Sequence, residues 1–558
     1  MTSRWWLTVS TWRIASGLLW LTATATIMIA MSQGVVRESV QIHLADGTPI
    51  RGTLYRPPHF GIRVPIAVVV HGMATDHHSC VPSLAIPLAR NGYLTLAIDV
   101  RGHGQSGGSL PRGELDDPIA ALDTLSEQPE IDAAIDYMKQ HPLFIEKYPM
   151  MRPGPGPAPR TLPMQLIAVI GHSRGGWAAA NVGYRRKDVD SVVCIGAAPG
   201  VCDVSRPHNF LVVTGNFDEL FPVQRCVLTT AQASSGQVSK DEQSSGGYRA
   251  GTARLLKKIN DVNHFTELAS PALTRNVVQW VGGSLDIDAG PVPGTRLKVL
   301  VAAVLLASLG GLLPTTWALC SCARVLFQES SSSGAASGWR LALFFLGLTL
   351  VVPVVAAVAP RVEIGPVYFA GSSILLLSAI GLTGWGVGRL GGGKPSFPRE
   401  APFQAWSLAA LVLGAISLLL GIIWLGIPWG LTWAGLVPTT RRFLLAVVLF
   451  PLFFPACLAL AHGFEQLVGE GKQRWGDWTR GLSWAGIPVV LWCAFRWLSV
   501  GAHPLFVVPI ALLGATFLVP LPLWLLPGRG ELTFSRALSH AGAVSWLLAC
   551  HLPFVHNG

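Results

Sequence analysis

The segment QLIAVIGHSRGGWAAANVGY holds the residues best suited to chemistry: Gly171, His172, Ser173, Arg174 and Gly175, a Gly-x-Ser-x-Gly pattern between a β-branched run and an Ala-rich one. A serine on a sharp strand-to-helix turn needs glycine on both sides, because the backbone is strained and strand and helix approach closely. Such a turn lifts the hydroxyl above the sheet and aims it at a helix N-terminus, where free N–H groups favour an oxyanion. The pattern alone is cheap in a chain with 60 glycines, so its partners decide its meaning. An activated serine requires a general base, and the base requires a carboxylate to fix its tautomer. NFLVVTG (209–215) runs into Asn216-Phe217-Asp218-Glu219, which puts a carboxylate just past a strand end. RLLKKIND (254–261) is followed by His264. Ser173, Asp218 and His264 therefore occur in the order Ser, Asp, His at one edge of a parallel sheet, the edge where open α/β folds bind ligands. Glu219 is the alternative acid.

Upstream residues agree. VPIAVVVHGMATDHH places His71-Gly72-Met73 after a strand, so the N–H groups of Met73 and Arg174 are the expected oxyanion hole. YLTLAIDVRGHGQSGG carries Asp99, Arg101, Gly102, His103, Gly104 and Ser106 after the next strand. These three motifs together resemble the α/β-hydrolase superfamily, most of all its dienelactone-hydrolase, acyl-esterase and serine-aminopeptidase types. The resemblance covers residues 35–283. It implies an eight-stranded, mostly parallel sheet with flanking helices, a Ser173 nucleophile, a His264 base and an Asp218 orienting acid. It also implies a structural role for His71 and the loop from Asp99 to Gly104.

The elements that must position these residues are legible as alternating βα pattern. Strands are expected at 64–71, 93–99, 165–171, 191–196, 209–215 and 254–261, continuously apolar as in a sheet buried on both faces. VQIHLADGTPIRGTLYRP reads as an antiparallel lead-in hairpin turned at Asp46-Gly47. Only AAPGVCDVSRPH (197–208) separates the sixth strand from the acid strand, too short for a helical cap domain. Two insertions remain that could cover the site, 142–163 and Phe221 to Tyr248, the second holding a Gly/Ser-rich loop.

The rest of the chain is made for a different solvent. Half of the residues are hydrophobic, 13% are charged and mean hydropathy is +0.46, where a soluble chain carries about 25% charged residues. The formal charge of +10 suggests no nucleic-acid partner once located: residues 32–290 hold 23 Lys+Arg against 24 Asp+Glu, and the remainder 18 against 7, beside apolar runs. Residues 1–31 form an N-terminal transmembrane signal anchor, since the apolar stretch from Trp12 to Met31 is long enough to span a bilayer, which takes about 20 residues. Residues 32–290 form the hydrolase domain. Residues 291–558 form an all-α transmembrane bundle of about eight helices, near 297–319, 341–359, 366–388, 404–426, 441–462, 481–500, 504–526 and 537–556. With the first span running in to out, ten basic residues from Arg324 to Arg536 fall on inside loops, against Arg361, Arg441, Arg442 and Arg496 outside. The hydrolase domain is then extracytoplasmic, and the Arg441-Arg442 pair is the one violation.

The smaller signals have plain readings. Asp76-His77-His78 lacks a third spaced ligand, so it reads as a polar loop and no metal is expected. Cys202 and Cys226 flank the acid strand, leaving a disulfide open. Arg536 and His540 sit four apart in the last span, where ionisable groups are functional hypotheses. The expectation is a membrane-anchored serine hydrolase, without cofactor, that cleaves esters or thioesters of small or lipid-like acyl substrates. A peptidase or acyltransferase on the same triad is the alternative, as is a transporter or scaffold with a hydrolase-like sensor domain.

Overall fold

The computed structural model describes residues 3–32, 34–59, 64–111, 128–147, 166–288, 290, 292, 294–326, 338–358, 370–390, 408–433, 435–468, 475–498, 507–526, 531–552 and 554–556. The first helix is α1 (Ser3–Ser32). The lead-in then forms the expected hairpin, β1 (Val36–His43) against β2 (Pro49–Arg56), with Val36 opposite Arg56 and His43 opposite Pro49. Asp46 Oδ1 accepts from the Thr48 N–H at 2.8 Å and Gly47 takes φ +79°, so the Asp-Gly pair sets the turn.

The apolar runs follow as β3 (Ile66–Val70), β4 (Leu94–Ile98), β6 (Ile167–His172), β7 (Ser191–Ile195), β8 (Phe210–Gly215) and β10 (Arg254–Ile259), with two-residue pieces β5 (Leu110–Pro111) and β9 (Ser244–Ser245). The main sheet has the order β1-β2-β4-β3-β6-β7-β8-β10-β9. From β4 to β10 all neighbours are parallel, whereas β1–β2, β2–β4 and β10–β9 are antiparallel. The sheet is thus mixed and nine-stranded, where eight strands were expected. The addition is β9, a piece of the Gly/Ser-rich stretch that satisfies the open edge of β10.

Every residue of β3, β4, β6, β7 and β8 is buried, because helices cover both faces. These include α2 (Ile86–Arg90), α3 (Gln128–Lys139), α4 (Arg174–Arg185), α5 (Val223–Ala233) and α6 (Pro271–Ser284). In α3, Ile131, Ala134, Ile135 and Met138 recur at helical spacing and are fully buried. The insertion from Phe221 opens, ahead of its Gly/Ser-rich loop, with α5, which buries Cys226, Thr229, Thr230 and Ala233. Threonines at helical spacing carry no strong apolar signal, so only packing reveals that helix. Residues 196–209 contain no helix, as expected for a site without a cap at that point. Most of the insertion at 142–163 lies outside the described residues.

The chain packs as two units, neither continuous in sequence: 26–302 with 430–435 and 551–558, and 1–25 with 303–429 and 436–550. In the first, β11 (Val555–His556) pairs in parallel with β5, Leu110 N–H donates to Phe554 O at 2.8 Å, and Phe554 N–H donates to Gly102 O at 3.1 Å. Gly435 lies against Asp76 so closely that a Cβ would fall 1.9 Å from its carboxylate.

The second unit is helical, built largely from α7 (Gly294–Leu326), α8 (Gly338–Val358), α9 (Ala370–Leu390), α10 (Leu408–Gly421), α11 (Thr440–Val468), α12 (Trp475–Leu498), α13 (Val507–Thr516) and α14 (Glu531–His551). Four stretches are long and apolar enough to cross a membrane: Ile14–Met31, Gly294–Ala323, Leu408–Gly430 and Thr440–Glu465; Trp339–Val355 and Ser372–Gly388 are shorter apolar helices. Among the described residues, three C-terminal stretches meet both criteria, where eight spans were expected. The expected span at 504–526 is broken after Thr516, ahead of Pro520 and Pro522, which cannot continue a hydrogen-bonded helix. The last one, expected to run to residue 556, stops at His551. Inside this unit Trp484 stacks on Trp524 at 4.5 Å, and the guanidinium of Arg536 lies 4.3 Å from the Trp524 ring centre and pairs with Glu465. His540 bonds to Thr516 Oγ1 at 2.9 Å, so Arg536 and His540 serve different partners.

Candidate active site

Ser173 joins β6 to α4 with φ +54° and ψ −123°, a strained conformation for a residue with a side chain. Its neighbours explain how it fits. A Cβ on Gly171 would fall 2.0 Å from Gly175 O, and one on Gly175 would fall 2.4 Å from His71 O, so strand, turn and helix close only with glycine at both positions. Ser173 N–H donates to Ile195 O at 2.7 Å, and its carbonyl accepts from Gly176 N–H at 2.9 Å.

Asp218 sits three residues past the end of β8. Its Oδ1 accepts from the N–H groups of Leu220 and Phe221 at 2.9 and 2.7 Å, which leaves Oδ2 for His264 Nδ1 at 2.9 Å. His264 lies five residues past the end of β10, and its Nε2 is 2.9 Å from Ser173 Oγ. All three residues are at least nine-tenths buried. Burial would raise the Asp218 pKa, but the charge and hydrogen bond of His264 outweigh it and hold the carboxylate below its ordinary value. The alternative acid has another task, since Glu219 Oε2 accepts from the His264 backbone N–H at 3.3 Å. Arg174 is the first residue of α4, and Met73 follows Gly72, where a Cβ would meet Ser173 Cβ at 3.0 Å. Both expected oxyanion donors therefore belong to backbone beside the serine.

Two buried residues of this site escaped the sequence reading. Glu267, one turn after His264, is fully buried; Gly215 N–H donates to its Oε1, and its Oε2 lies 3.6 Å from His172 Nε2. Burial and the Asp218 charge raise the Glu267 pKa well above the usual carboxyl range, which favours its neutral form. Burial and the neighbouring His264 push His172 down to about 3, so it is a neutral imidazole. The only available signal was the spacing of His264-Phe265-Thr266-Glu267. His172, His264 and Glu267 offer ligand atoms within 4.8 Å of one another, a set chemically able to hold a cation, which would then compete with Ser173 for the imidazole.

The supporting loops behave as the resemblance implied. Val100 N–H donates to His71 Nε2 at 3.2 Å, and Asp99 accepts from His77 Nδ1 and from the Gln105 N–H, both at 2.8 Å. His77 Nε2 bonds to Thr53 Oγ1 at 3.0 Å, so both its ring nitrogens are occupied and the Asp76-His77-His78 run is structural. Cys202 and Cys226 are separate buried thiols: Cys202 donates to Thr229 O at 3.5 Å, and Cys226 to Phe221 O at 3.8 Å.

Comparison with known proteins bears on this unit alone. No curated protein matches the chain. Among solved structures it is similar to an esterase of Pyrococcus furiosus, at 14% identity over 44% of this chain and 92% of that one (TM-score 0.30). It is also similar to a protein of unknown function from Agrobacterium tumefaciens, at 17% identity over 44% and 98% (TM-score 0.32), and to an α/β hydrolase from a Penicillium species, at 12% identity over 45% and 100% (TM-score 0.31). Residues 64–260 match the family model described as serine aminopeptidase, S33; they include Ser173 and Asp218 and stop four residues before His264. With the sheet order and the strand-to-helix serine, that match supports an α/β-hydrolase fold for this part of the chain.

Proposed function

We propose that the chain is a membrane-anchored serine hydrolase that cleaves carboxylic esters or thioesters. The carrying observation is the unbroken relay from Ser173 Oγ through His264 to Asp218, with both links at 2.9 Å. His264 Nε2 takes the serine proton as Oγ attacks the substrate carbonyl, and Asp218 stabilises the imidazolium through Nδ1–H. The N–H groups of Met73 and Arg174 hold the oxyanion. The tetrahedral intermediate expels the alcohol or thiol, which receives the proton from His264. Water, deprotonated by the same imidazole, then attacks the acyl-serine and releases the acid. Phe217 and Phe265, adjacent in sequence to the acid and the base, are exposed, and Phe221 packs on the His264 ring at 5.7 Å. An aromatic rim of this kind favours an apolar acyl group over a charged one.

Purified full-length protein is expected to hydrolyse short acyl esters and to react with a fluorophosphonate at Ser173. Ser173→Ala abolishes labelling and lowers turnover by roughly 10⁴-fold or more without unfolding the protein. A folded wild type that takes up no fluorophosphonate and cleaves no ester overturns the proposal. The family description favours one second reading, an aminopeptidase. Release of free amine from aminoacyl arylamides faster than ester cleavage would select it.

The same proposal places the hydrolase domain outside the cytoplasm. The excess of basic residues on the loops expected inside supports that sidedness. The Arg441-Arg442 violation also has a structural cause: Arg442 is buried, and its Nη1 donates to Ala549 O and Cys550 O at 2.6 and 3.2 Å, a cation closing the C-terminus of α14.

A further inference from the structure

A cavity of about 440 Å³ opens in the hydrolase unit away from the triad, lined among others by Gly34, His59, Arg90, Asn91, Gly294 and Arg296. Its place in the chain is informative. Gly34 is three residues past the apolar window Ile14–Met31, and Gly294 begins the window Gly294–Ala323, so both candidate spans end at this cavity. A cavity at the ends of two spans lies at the depth of lipid headgroups.

Its charge is one-sided. No Asp or Glu is among the described lining residues. Arg90 is half-buried, and the charges acting on it are those of Arg296 and Arg37. Burial first, and these two cations second, lower its pKa to about 10. Gly294 keeps the space open beside a fourth guanidinium, since a Cβ there would sit 3.4 Å from Arg275 Nη2. Arg90 donates to Ala30 O at 3.1 Å and Arg37 to Met31 O, so two of the arginines also cap the C-terminus of α1. A helix C-terminus carries only about half an elementary negative charge, less than the charge of either arginine.

We propose that this cavity binds a phosphate ester, the headgroup of an anionic phospholipid, gripped by Arg90 and Arg296 with Arg37 and Arg275 beside them. Guanidinium forks match phosphate oxygens in pairs, and partial burial strengthens those contacts. The volume accommodates a glycerophosphate group rather than a bare phosphate. A lipid seated there would bridge the exit of the first span and the entry of the second. The site would fix the hydrolase unit at the bilayer surface and is separate from the Ser173 relay.

The test uses full-length Ser173→Ala protein in detergent, so that no lipid is turned over and the result does not depend on the hydrolase reading. Native mass spectrometry counts retained phosphatidylglycerol, with phosphatidylcholine, glycerol 3-phosphate and inorganic phosphate as separate arms. Phosphatidylglycerol is expected to bind, and Arg90→Gln with Arg296→Gln to weaken it about tenfold or more, as loss of charge-assisted bonds implies. The matching Lys pair should restore much of the affinity. Binding of glycerol 3-phosphate or inorganic phosphate with the same arginine dependence keeps the anion site and assigns it a soluble ligand. Equal retention by wild type and the Gln pair, or equal retention of phosphatidylcholine, overturns the proposal. Should the Gln pair fail to fold, a photoreactive phosphatidylglycerol on the parent protein decides. Crosslinks must fall at 34, 59, 90–91 or 290–297, and crosslinks confined elsewhere overturn it.

Discussion

Ser173 holds φ +54° in a turn whose two glycines admit no Cβ, and the strain is what presents Oγ to His264. Asp218 is secured by two backbone amides, and its charge acts on Glu267, whose buried carboxyl is biased toward the neutral form. This arrangement makes a specific claim about Glu267 as a positioning residue. Glu267→Gln keeps a neutral hydrogen-bonding group there, so turnover should stay within about twofold, whereas Glu267→Ala should lower it by about ten- to a hundredfold through a misplaced Asp218. Stability separates the two forms of the carboxyl. The folded pKa of Glu267 is raised above the ordinary glutamate value of 4.5, so the folded state holds a proton the unfolded chain releases. Wild type therefore loses stability as pH rises above 4.5 toward the folded pKa. Glu267→Gln lacks that loss, so denaturation from pH 4 to 7 should show the variant gaining on wild type as pH rises; parallel curves would refute the neutral acid. Ser173, Asp218 and His264 were legible because each follows a recognisable strand. Glu267 was not, since nothing in its spacing says that it is buried against another carboxylate.

At the scale of elements, strands were read well and the rest less so. Continuous Val and Ile runs mark buried parallel strands whatever they pack against. The helix α5 and the edge piece β9 have no such mark, because α5 buries two threonines among its apolar residues and β9 is two serines. The same holds for β11, a two-residue strand at the far end of the chain whose pairing with β5 clamps the loop of Asp99 and Gly102. Phe554 is buried in that clamp. Phe554→Ala should destabilise the hydrolase unit by about 3 kcal/mol, as loss of a buried phenyl ring does, and be visible as a lower melting temperature. An unchanged melting temperature would mean that the clamp contributes nothing to folding.

For the whole molecule, an apolar helical region larger than a tether has a physical use: it returns two short segments, 430–435 and 551–558, to the hydrolase unit. A fragment of residues 32–290 lacks both, so it should melt well below the hydrolase unit of the full chain and lose activity first on warming. Equal melting of fragment and full chain would reduce the membrane region to an anchor. Sidedness is testable separately. A reporter active only outside the cytoplasm should work after Gly558 and fail when inserted at 328–337; the reverse pattern would invert the proposed orientation.

The succession of strands along the chain, the serine between two glycines, its candidate acid and base, and the apolar C-terminal half are all local or periodic properties, and composition and spacing suffice to state them. What needed the tertiary structure is the buried acid behind Asp218, the division of labour between Asp218 and Glu219, the role of Arg442, and the return of remote segments to the hydrolase unit. Each depends on which groups lose water together, and desolvation is a property of packed neighbours that no single stretch of chain encodes.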